Sequence, residues 1–224
     1  LARPLRDLRI SVTDRCNFRC VYCMPREVFG PGYAFVPRED LLTLEEIARI
    51  ARVFAAIGMR KVRITGGEPL IRRNLEHLIE MIDAMDEVDD ISLTTNGSML
   101  SPGRAVDLRK SGLKRLTISL DALDDPTFKR INDVDYPVSR VLDGIEHARA
   151  AGFSGTKINV VVRRGFNQHA VLDLVKHFRH TDCIVRFIEY MDVGETNGWN
   201  LDDVIPASDL VDEIDARYQL EAIS

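Results

Sequence analysis

The sequence predicts an α/β fold, and within that class an incomplete (β/α)6 TIM-like barrel with a polar lumen that spans residues 1–224 as a single domain. Short runs of β-branched residues alternate with longer segments of helical period, which is typical of a parallel sheet with right-handed crossovers. One face of most runs is polar, whereas a parallel strand covered by helices on both faces is apolar throughout. The alternation alone leaves a doubly wound sheet open, and the polar faces favour the barrel.

Six strands are predicted from these runs. In the first, Leu8, Ile10 and Val12 alternate with Arg9 and Ser11, so the two sets of side chains lie on opposite faces. The second, fourth and fifth runs alternate in the same way. The predicted strands cover residues 8–12, 61–65, 91–94, 115–120, 157–162 and 184–188.

The segment 43–57 is the clearest predicted helix. Thr43 and Glu46 form a capping box at its start, and Gly58 ends it. Weaker helical periods predict helices over 74–85, 103–110, 138–151 and 167–179. The apolar face of the first helix is expected to consist of Leu44, Ile47, Ile50, Ala51, Phe54 and Ile57.

A long irregular stretch lies between the first strand and the first helix. Residues 24–42 contain three prolines and two glycines, and a structureless loop of this length in a compact domain is usually functional. The stretch directly follows three cysteines. Residues 13–42 are therefore predicted to form a cluster-binding loop.

The composition is that of an ordinary globular protein, with 45% hydrophobic residues and a net charge of −5. Non-specific nucleic-acid binding needs a basic surface, so no DNA partner is expected. No apolar run approaches the length of a membrane span, and no membrane association is expected. Four cysteines in 224 residues are too few for a disulfide scaffold. Three of them lie within eight positions, which indicates a metal site in a reducing, cytoplasmic compartment.

Cys16, Cys20 and Cys23 follow the spacing CxxxCxxC. Such spacing lets one loop wrap an iron–sulfur cluster, and three ligands for four irons leave one iron open for chemistry. A structural zinc site is the alternative, but zinc needs a fourth ligand and the closest histidine in sequence is His77. Cys183, which precedes the sixth strand, is expected to be a small core residue.

Other polar motifs fall where predicted strands end, which is where parallel barrels place their active sites. The glycine pairs in these motifs are ordinary turn formers, so each motif alone is weak and their shared position carries the inference. The motifs are Thr65-Gly-Gly-Glu-Pro69, Thr94-Thr-Asn-Gly97, Ser119-Leu-Asp121 and Glu189-Tyr-Met-Asp-Val-Gly194.

The cysteine motif followed by Gly-Gly-Glu-Pro resembles the radical S-adenosylmethionine (SAM) superfamily. Longer segments resemble its GTP 3′,8-cyclase family of molybdenum-cofactor biosynthesis: Thr13-Asp-Arg-Cys-Asn-Phe-Arg-Cys-Val-Tyr-Cys-Met-Pro25, Arg63-Ile-Thr-Gly-Gly-Glu-Pro-Leu70, Leu93-Thr-Thr-Asn-Gly97, Arg186-Phe-Ile-Glu-Tyr-Met-Asp-Val-Gly194 and Asn197-Gly-Trp199. The resemblance implies a [4Fe–4S] cluster on the three cysteines and SAM on its open iron. It also implies conversion of GTP to (8S)-3′,8-cyclo-7,8-dihydroguanosine 5′-triphosphate.

The resemblance further implies roles for single residues. SAM would contact the Tyr22 backbone, Gly67 and the Ser119 hydroxyl. Met191 would close over the adenine of SAM. The positions matching the substrate side are Arg9, Arg63, Thr94 and Lys157. The positive charges of Arg9, Arg63 and Lys157 would destabilise a partly dehydrated cavity unless an anion such as a triphosphate neutralised them. Ion pairs with acidic neighbours are the alternative.

The sequence departs from the cyclase family in one respect. The family has a second cluster, held by three cysteines in a C-terminal extension, and no such cysteines follow Cys183. The chain is therefore expected to be a fragment that binds SAM without completing cyclisation. The resemblance implies a reductant such as flavodoxin or ferredoxin, cyclic pyranopterin monophosphate synthase as the downstream enzyme, and a possible homodimer. A peptide-modifying radical SAM maturase and a zinc-binding regulatory module remain the alternatives.

Overall fold

The structure is a computed structural model that describes residues 4–194 and 196–223. Its six strands form one sheet in the order β1-β2-β3-β4-β5-β6, and the pairs β1–β2, β2–β3, β3–β4 and β5–β6 are parallel. The strands are β1 (Asp7–Ser11), β2 (Lys61–Thr65), β3 (Asp90–Thr95), β4 (Arg115–Ser119), β5 (Lys157–Val162) and β6 (Ile184–Glu189). This confirms the predicted α/β class and the sequential strand order of a (β/α) barrel.

At least one α-helix of the described residues follows each strand, and two helices lie between β4 and β5. The helices are α1 (Leu44–Ala56), α2 (Leu75–Asp83), α3 (Pro102–Lys110), α4 (Asp125–Asn132), α5 (Ser139–Ala150), α6 (Val171–Phe178) and α7 (Ala207–Asp215). Among the described residues, no helix is both long and apolar enough to cross a lipid bilayer.

The chain divides into two compact units. The first comprises residues 4–17, 34–119 and 140–156, and the second comprises residues 18–33, 120–139, 157–194 and 196–223. The core of the first unit is made by the apolar faces of β2–β4 with α1, α2, α3 and α5. The core of the second contains β5, α4 and α6, with Phe128, Ile158, Val160, Val162, Leu174 and Phe178 buried.

The capping box predicted at the start of α1 is confirmed. The Thr43 hydroxyl accepts from Glu46 N (3.1 Å), and the Glu46 carboxylate accepts from Thr43 N (2.8 Å). The predicted apolar face is only partly correct, because Ile50 and Ile57 are exposed. The buried stripe is instead Ile47, Ala48, Ala51 and Ala55, since α1 packs closely through small side chains.

Two helices of the second unit were not predicted, and one predicted helix is shorter than expected. α4 and α7 each bury a single apolar pair, Phe128 with Ile131 and Leu210 with Ile214, which is too short a signal for a helical period. The predicted helix 167–179 begins with a 3-10 turn (Gln168–Ala170) before α6. Cys183 is partly exposed rather than in the core.

The polar strand faces differ along the sheet. On β1 and β2, Arg9 and Arg63 are exposed, and their Cα atoms are partners in the strand register. On β3 and β4, Ser92 and Thr117 are both 8% exposed. The two arginines of β1 and β2 are therefore solvent-exposed, whereas Ser92 of β3 and Thr117 of β4 are buried.

Candidate functional site

Two glycines at the end of β2 lie against the backbone that leads to Cys16. Gly67 N donates to Thr13 O (2.7 Å) and Glu68 N donates to Arg15 O (2.8 Å). A Cβ atom on Gly67 would lie 2.3 Å from the Arg15 carbonyl oxygen, and one on Gly66 would lie 2.6 Å from that of Thr13. Neither glycine has a positive φ. They are therefore required by the close approach of two backbone segments, not by a turn.

Glu68 joins the segment after β2 to the segment after β3. Its side chain is 1% exposed and accepts hydrogen bonds from Thr95 Oγ1 (2.7 Å), Asn96 N (2.7 Å) and Leu70 N (3.0 Å). Burial raises the pKa of the Glu68 carboxyl, and these hydrogen bonds oppose the rise. The bonds fix the position of Asn96 relative to the end of β2.

Amide and hydroxyl groups surround Cys16 within the first unit. Asn96 Nδ2 donates to Asn17 Oδ1 (2.9 Å) and lies 3.9 Å from Cys16 Sγ. Asn17 Nδ2 donates to Ser98 Oγ (2.8 Å), and Ser98 Oγ donates to Asn96 Oδ1 (2.7 Å). Gly97 follows in the left-handed region (φ 75°), as expected for a turn. The Asn96 amide is thus held with an N–H group toward the Cys16 sulfur.

In the second unit, the backbone on both sides of Cys20 is bonded to the end of α4. Arg19 N donates to Asn132 O (3.0 Å) and Val21 N donates to Ile131 O (2.9 Å). The Cys20 thiol donates to Asn132 Oδ1 (3.0 Å). These bonds hold the Cys20 segment to a helix end.

Tyr22 is anchored by a buried carboxyl. Its hydroxyl donates to Asp121 Oδ2 (2.8 Å), and Val161 N donates to Asp121 Oδ1 (2.8 Å). Burial raises the pKa of Asp121 to about 6. Burial, together with the charge of Asp121, also raises the pKa of Tyr22 well above its ordinary value. The side chain therefore serves as a neutral anchor, which leaves the backbone of Tyr22 for other contacts.

Asn197 joins Tyr22 to Met191. Its Nδ2 donates to both carbonyl oxygens at 3.1 Å. Asn197 is itself held, because Tyr190 Oη donates to its carbonyl oxygen (3.0 Å) and Trp199 N donates to its Oδ1 (3.2 Å). Met191 is 46% exposed, whereas Asn197 is 7% exposed. A buried amide thus fixes the backbone under an exposed methionine.

The model of the Radical SAM superfamily matches residues 10–178, which is more than half of the chain. The chain belongs to the radical SAM superfamily. The match includes the cysteine motif, the glycine pair after β2 and the segment after β3.

A GTP 3′,8-cyclase of Acidothermus cellulolyticus is 52% identical over 223 residues, covering 100% of this chain and 61% of the relative. One from Staphylococcus epidermidis is 45% identical, covering 100% and 65%. The chain thus spans less than two thirds of the length of these relatives.

Solved structures of other proteins have the same fold. Methylornithine synthase superposes with a TM-score of 0.71 at 15% identity, covering 97% of this chain and 63% of the other. SuiB of Streptococcus suis, bound to S-adenosylmethionine, gives 0.72 at 19% identity, covering 96% and 49%. At these identities the likeness concerns the fold alone.

Radical SAM enzymes carry a [4Fe–4S] cluster and SAM. In this chain Cys16 and Cys20 are half-buried and Cys23 is exposed. The donor set suits such a cluster, because thiolates are its ligands and an amide N–H lies toward one of them. The described residues assemble no group of three or more His, Cys, Asp or Glu side chains that could hold a metal ion. The ligand assignment therefore stays a prediction from the motif.

The remaining predicted site residues divide between the units. In the first unit, Gly67 lies after β2, Ser119 ends β4, and Thr94 is in β3; Ser119 and Thr94 are half-buried. Arg9 donates to Thr65 Oγ1 (3.4 Å). The second unit contains Tyr22, Met191 and Lys157. Lys157 begins β5 and is half-buried.

Several residues of the site carried no predicted role. Glu68, Asn96 and Asn197 belong to the motifs that resemble the cyclase family. The sequence therefore identifies them as candidate site residues, but it does not predict their hydrogen bonds. Asp121 also ends such a motif. Asn132 lies in α4, which no sequence pattern predicted, and no local signal would have connected it to Cys20.

Proposed function

We propose that this chain forms the radical-generating core of a GTP 3′,8-cyclase. The relatives of that name are 45–52% identical over the whole chain. The observation that favours this substrate is the pair Arg9 and Arg63, which are register partners on one exposed strand face. Neither lies within salt-bridge distance of a carboxylate among the described residues. Adjacent like charges repel each other, and the anionic triphosphate of GTP would relieve that repulsion.

Cys16, Cys20 and Cys23 would hold the [4Fe–4S] cluster. The chemistry that the cluster would supply when bound is a single electron for the reductive cleavage of SAM. The chain's own part is to bind and orient. The glycine pair lets the Cys16 segment approach β2, and Asn96 is held with its amide toward the Cys16 sulfur. Hydrogen bonds to the sulfur ligands are one of the factors that set a cluster's reduction potential.

For the cosubstrate, we assign the Tyr22 backbone and Met191 to the adenine in the second unit. In the first unit, we assign Gly67 to the methionyl amino group and the Ser119 hydroxyl to a further contact. The Tyr22 carbonyl has one partner in Asn197, and a carbonyl oxygen can accept a second hydrogen bond. The amino group of adenine would be that second donor.

For the substrate, Arg9 and Arg63 would bind phosphate oxygens by charge-assisted hydrogen bonds. Thr94 and Lys157 are assigned to GTP from the motif match. A flavodoxin or ferredoxin as reductant, cyclic pyranopterin monophosphate synthase as the next enzyme, and a homodimer complete the proposal. A peptide-modifying enzyme is the second candidate, since SuiB, solved bound to its precursor peptide SuiA, has the same fold.

The cluster assignment is tested by single substitutions. Cys16→Ala, Cys20→Ala and Cys23→Ala should each abolish the iron–sulfur absorbance after anaerobic reconstitution, together with the release of 5′-deoxyadenosine from SAM, because a thiolate ligand is lost. Cys183→Ala is the matched control and should retain both. Iron content and 5′-deoxyadenosine are measured separately. Bleaching in Cys183→Ala, or full iron content in any of the other three, would contradict the ligand set.

A further inference from the structure

Four arginine side chains line one cavity of about 410 Å³ in the first unit. They are Arg15, Arg38, Arg72 and Arg73, and the other lining residues are uncharged. Arg15 directly precedes Cys16 in the chain, so the cavity adjoins the segment that carries the first cysteine of the motif. The positive charge is local, because the chain as a whole has a net charge of −5.

No carboxylate neutralises this cluster of arginines. None of the four guanidinium groups lies within salt-bridge distance of an acidic side chain in the described part of the chain. Arg72 Nη2 donates to the Leu42 carbonyl oxygen (2.6 Å), while Arg72 Nη1 is buried and has no hydrogen-bond partner among the described residues. Asp14 precedes Arg15, and its Oδ2 accepts from Val36 N (2.7 Å). Glu39 and Asp40 follow Arg38 in the chain, and neither forms a salt bridge with the four arginines among the described residues.

These features call for an oxyanion. Four like charges around one cavity repel each other, and an anionic partner would relieve that repulsion. Carboxylate and phosphate oxygens match the planar fork of a guanidinium. Arg15, Arg38 and Arg73 are exposed, so most of the positive charge faces solvent. This favours the acidic face of a protein over an enclosed small ligand.

We propose that this arginine cavity is the docking surface for an acidic protein that donates one electron. The inference rests on the proposed cluster-dependent function, because radical SAM enzymes need a reductant. In the docked complex, one electron passes from the reduced flavin or iron–sulfur group of the donor to the cluster held by the cysteine motif. The donor is oxidised by one electron, the cluster is reduced by one electron, and no bond is formed or broken. Complementary charge speeds the encounter and makes it sensitive to salt.

The test replaces Arg38 and Arg73 by Gln in one chain, because neither residue is adjacent to a cysteine. The matched control replaces Arg49 and Arg52, two exposed arginines of α1, by Gln. It therefore removes the same two positive charges from a different surface. Cluster reduction is followed by stopped-flow absorbance with reduced flavodoxin as donor, over a range of ionic strength. Photoexcited 5-deazariboflavin, a neutral small reductant, measures reduction that needs no protein docking.

We expect the Arg38→Gln/Arg73→Gln chain to be reduced by flavodoxin about 10- to 100-fold more slowly at low ionic strength, with a shallower salt dependence. Reduction by 5-deazariboflavin should be unchanged, and the control should stay within about 2-fold of the parent chain. Equal flavodoxin rates in the parent and in Arg38→Gln/Arg73→Gln would overturn the proposal. So would pyrophosphate binding that is lost in this variant while its flavodoxin rate is retained, since that identifies a small-oxyanion site. A parent chain without iron–sulfur absorbance would instead refute the proposed function.

Discussion

Asn197 is the residue on which the proposed adenine contacts depend. It bridges the carbonyl oxygens of Tyr22 and Met191, which are 175 and 6 positions away in the sequence. Its side chain uses all of its hydrogen-bonding groups within this network, because its Oδ1 accepts from Trp199 N. It is therefore a positioning residue: it orients two backbone segments and is not itself assigned to the ligand.

Asn197→Ala should weaken SAM binding by about 5- to 150-fold, because two backbone hydrogen bonds of roughly 0.5–1.5 kcal/mol each are lost. Equilibrium dialysis with SAM gives the affinity, and thermal unfolding gives the stability of the same sample. Asn200→Ala is the control, since the Asn200 side chain accepts from Asp202 N in a 3-10 turn and has no other hydrogen bond to a described residue. A lower Tm with unchanged SAM affinity would mean that Asn197 has only a structural role.

The sequence alone could identify which residues were candidates but not how they are connected. Asn197 and Asn96 both belong to motifs that resemble the cyclase family, but the sequence predicts no contact for either residue. Hydrogen bonds between residues distant in sequence depend on the final backbone path, which no local pattern encodes. The same limit applies to Asp121, whose carboxyl is bonded to Val161 N, 40 positions away.

The glycine pair after β2 connects strand geometry to the position of Cys16. Gly67→Ala would place a Cβ atom 2.3 Å from the Arg15 carbonyl oxygen, so one of the two backbones must move. We expect a loss of about 1–3 kcal/mol in the free energy of unfolding, by analogy with overpacked core sites, and a lower iron content after reconstitution. Urea unfolding and an iron assay measure the two effects.

Gly103 provides a control of opposite sign. It lies within α3, its Cβ position has no heavy atom within 4 Å, and its φ is not positive. Gly103→Ala should therefore stabilise the chain by about 0.5–1 kcal/mol without changing the iron content. If Gly67→Ala were as stable as Gly103→Ala, the close approach of the two backbones would not be the reason for the glycine.

At the scale of elements, the strands were predicted better than the helices. All six strand predictions agree with the structure to within one residue at each end, because alternation with β-branched residues is a clear local signal. α4 and α7 were missed because each buries only one apolar pair. The face of α1 was misjudged because small residues such as Ala48 and Ala55 pack closely, while larger side chains such as Ile57 extend into solvent.

For the whole molecule, charge and length bear most on the proposed function. The chain is acidic overall, yet it carries two groups of arginines without carboxylate partners among the described residues, one on β1 and β2 and one in the arginine cavity. They belong to different proposals, substrate binding and electron-donor docking, and can be tested independently. Because the chain spans less than two thirds of its cyclase relatives, GTP binding is best measured in a chain of their full length.

In such a chain, Arg9→Gln and Arg63→Gln should each weaken GTP binding. A charge-assisted hydrogen bond contributes about 1.5–3 kcal/mol when sheltered, and the exposure of both residues reduces this through solvent screening. The expected loss is therefore near the lower end, about 5- to 20-fold per residue. The effect should diminish as salt is raised.

Isothermal titration with GTP and, separately, with SAM is the measurement, and Arg49→Gln is the control of equal charge. SAM affinity should be unchanged in all three variants, because its assigned contacts are Tyr22, Gly67, Ser119 and Met191. Retained GTP affinity in both β-strand variants would remove the substrate argument, and the peptide-modifying alternative would then be favoured.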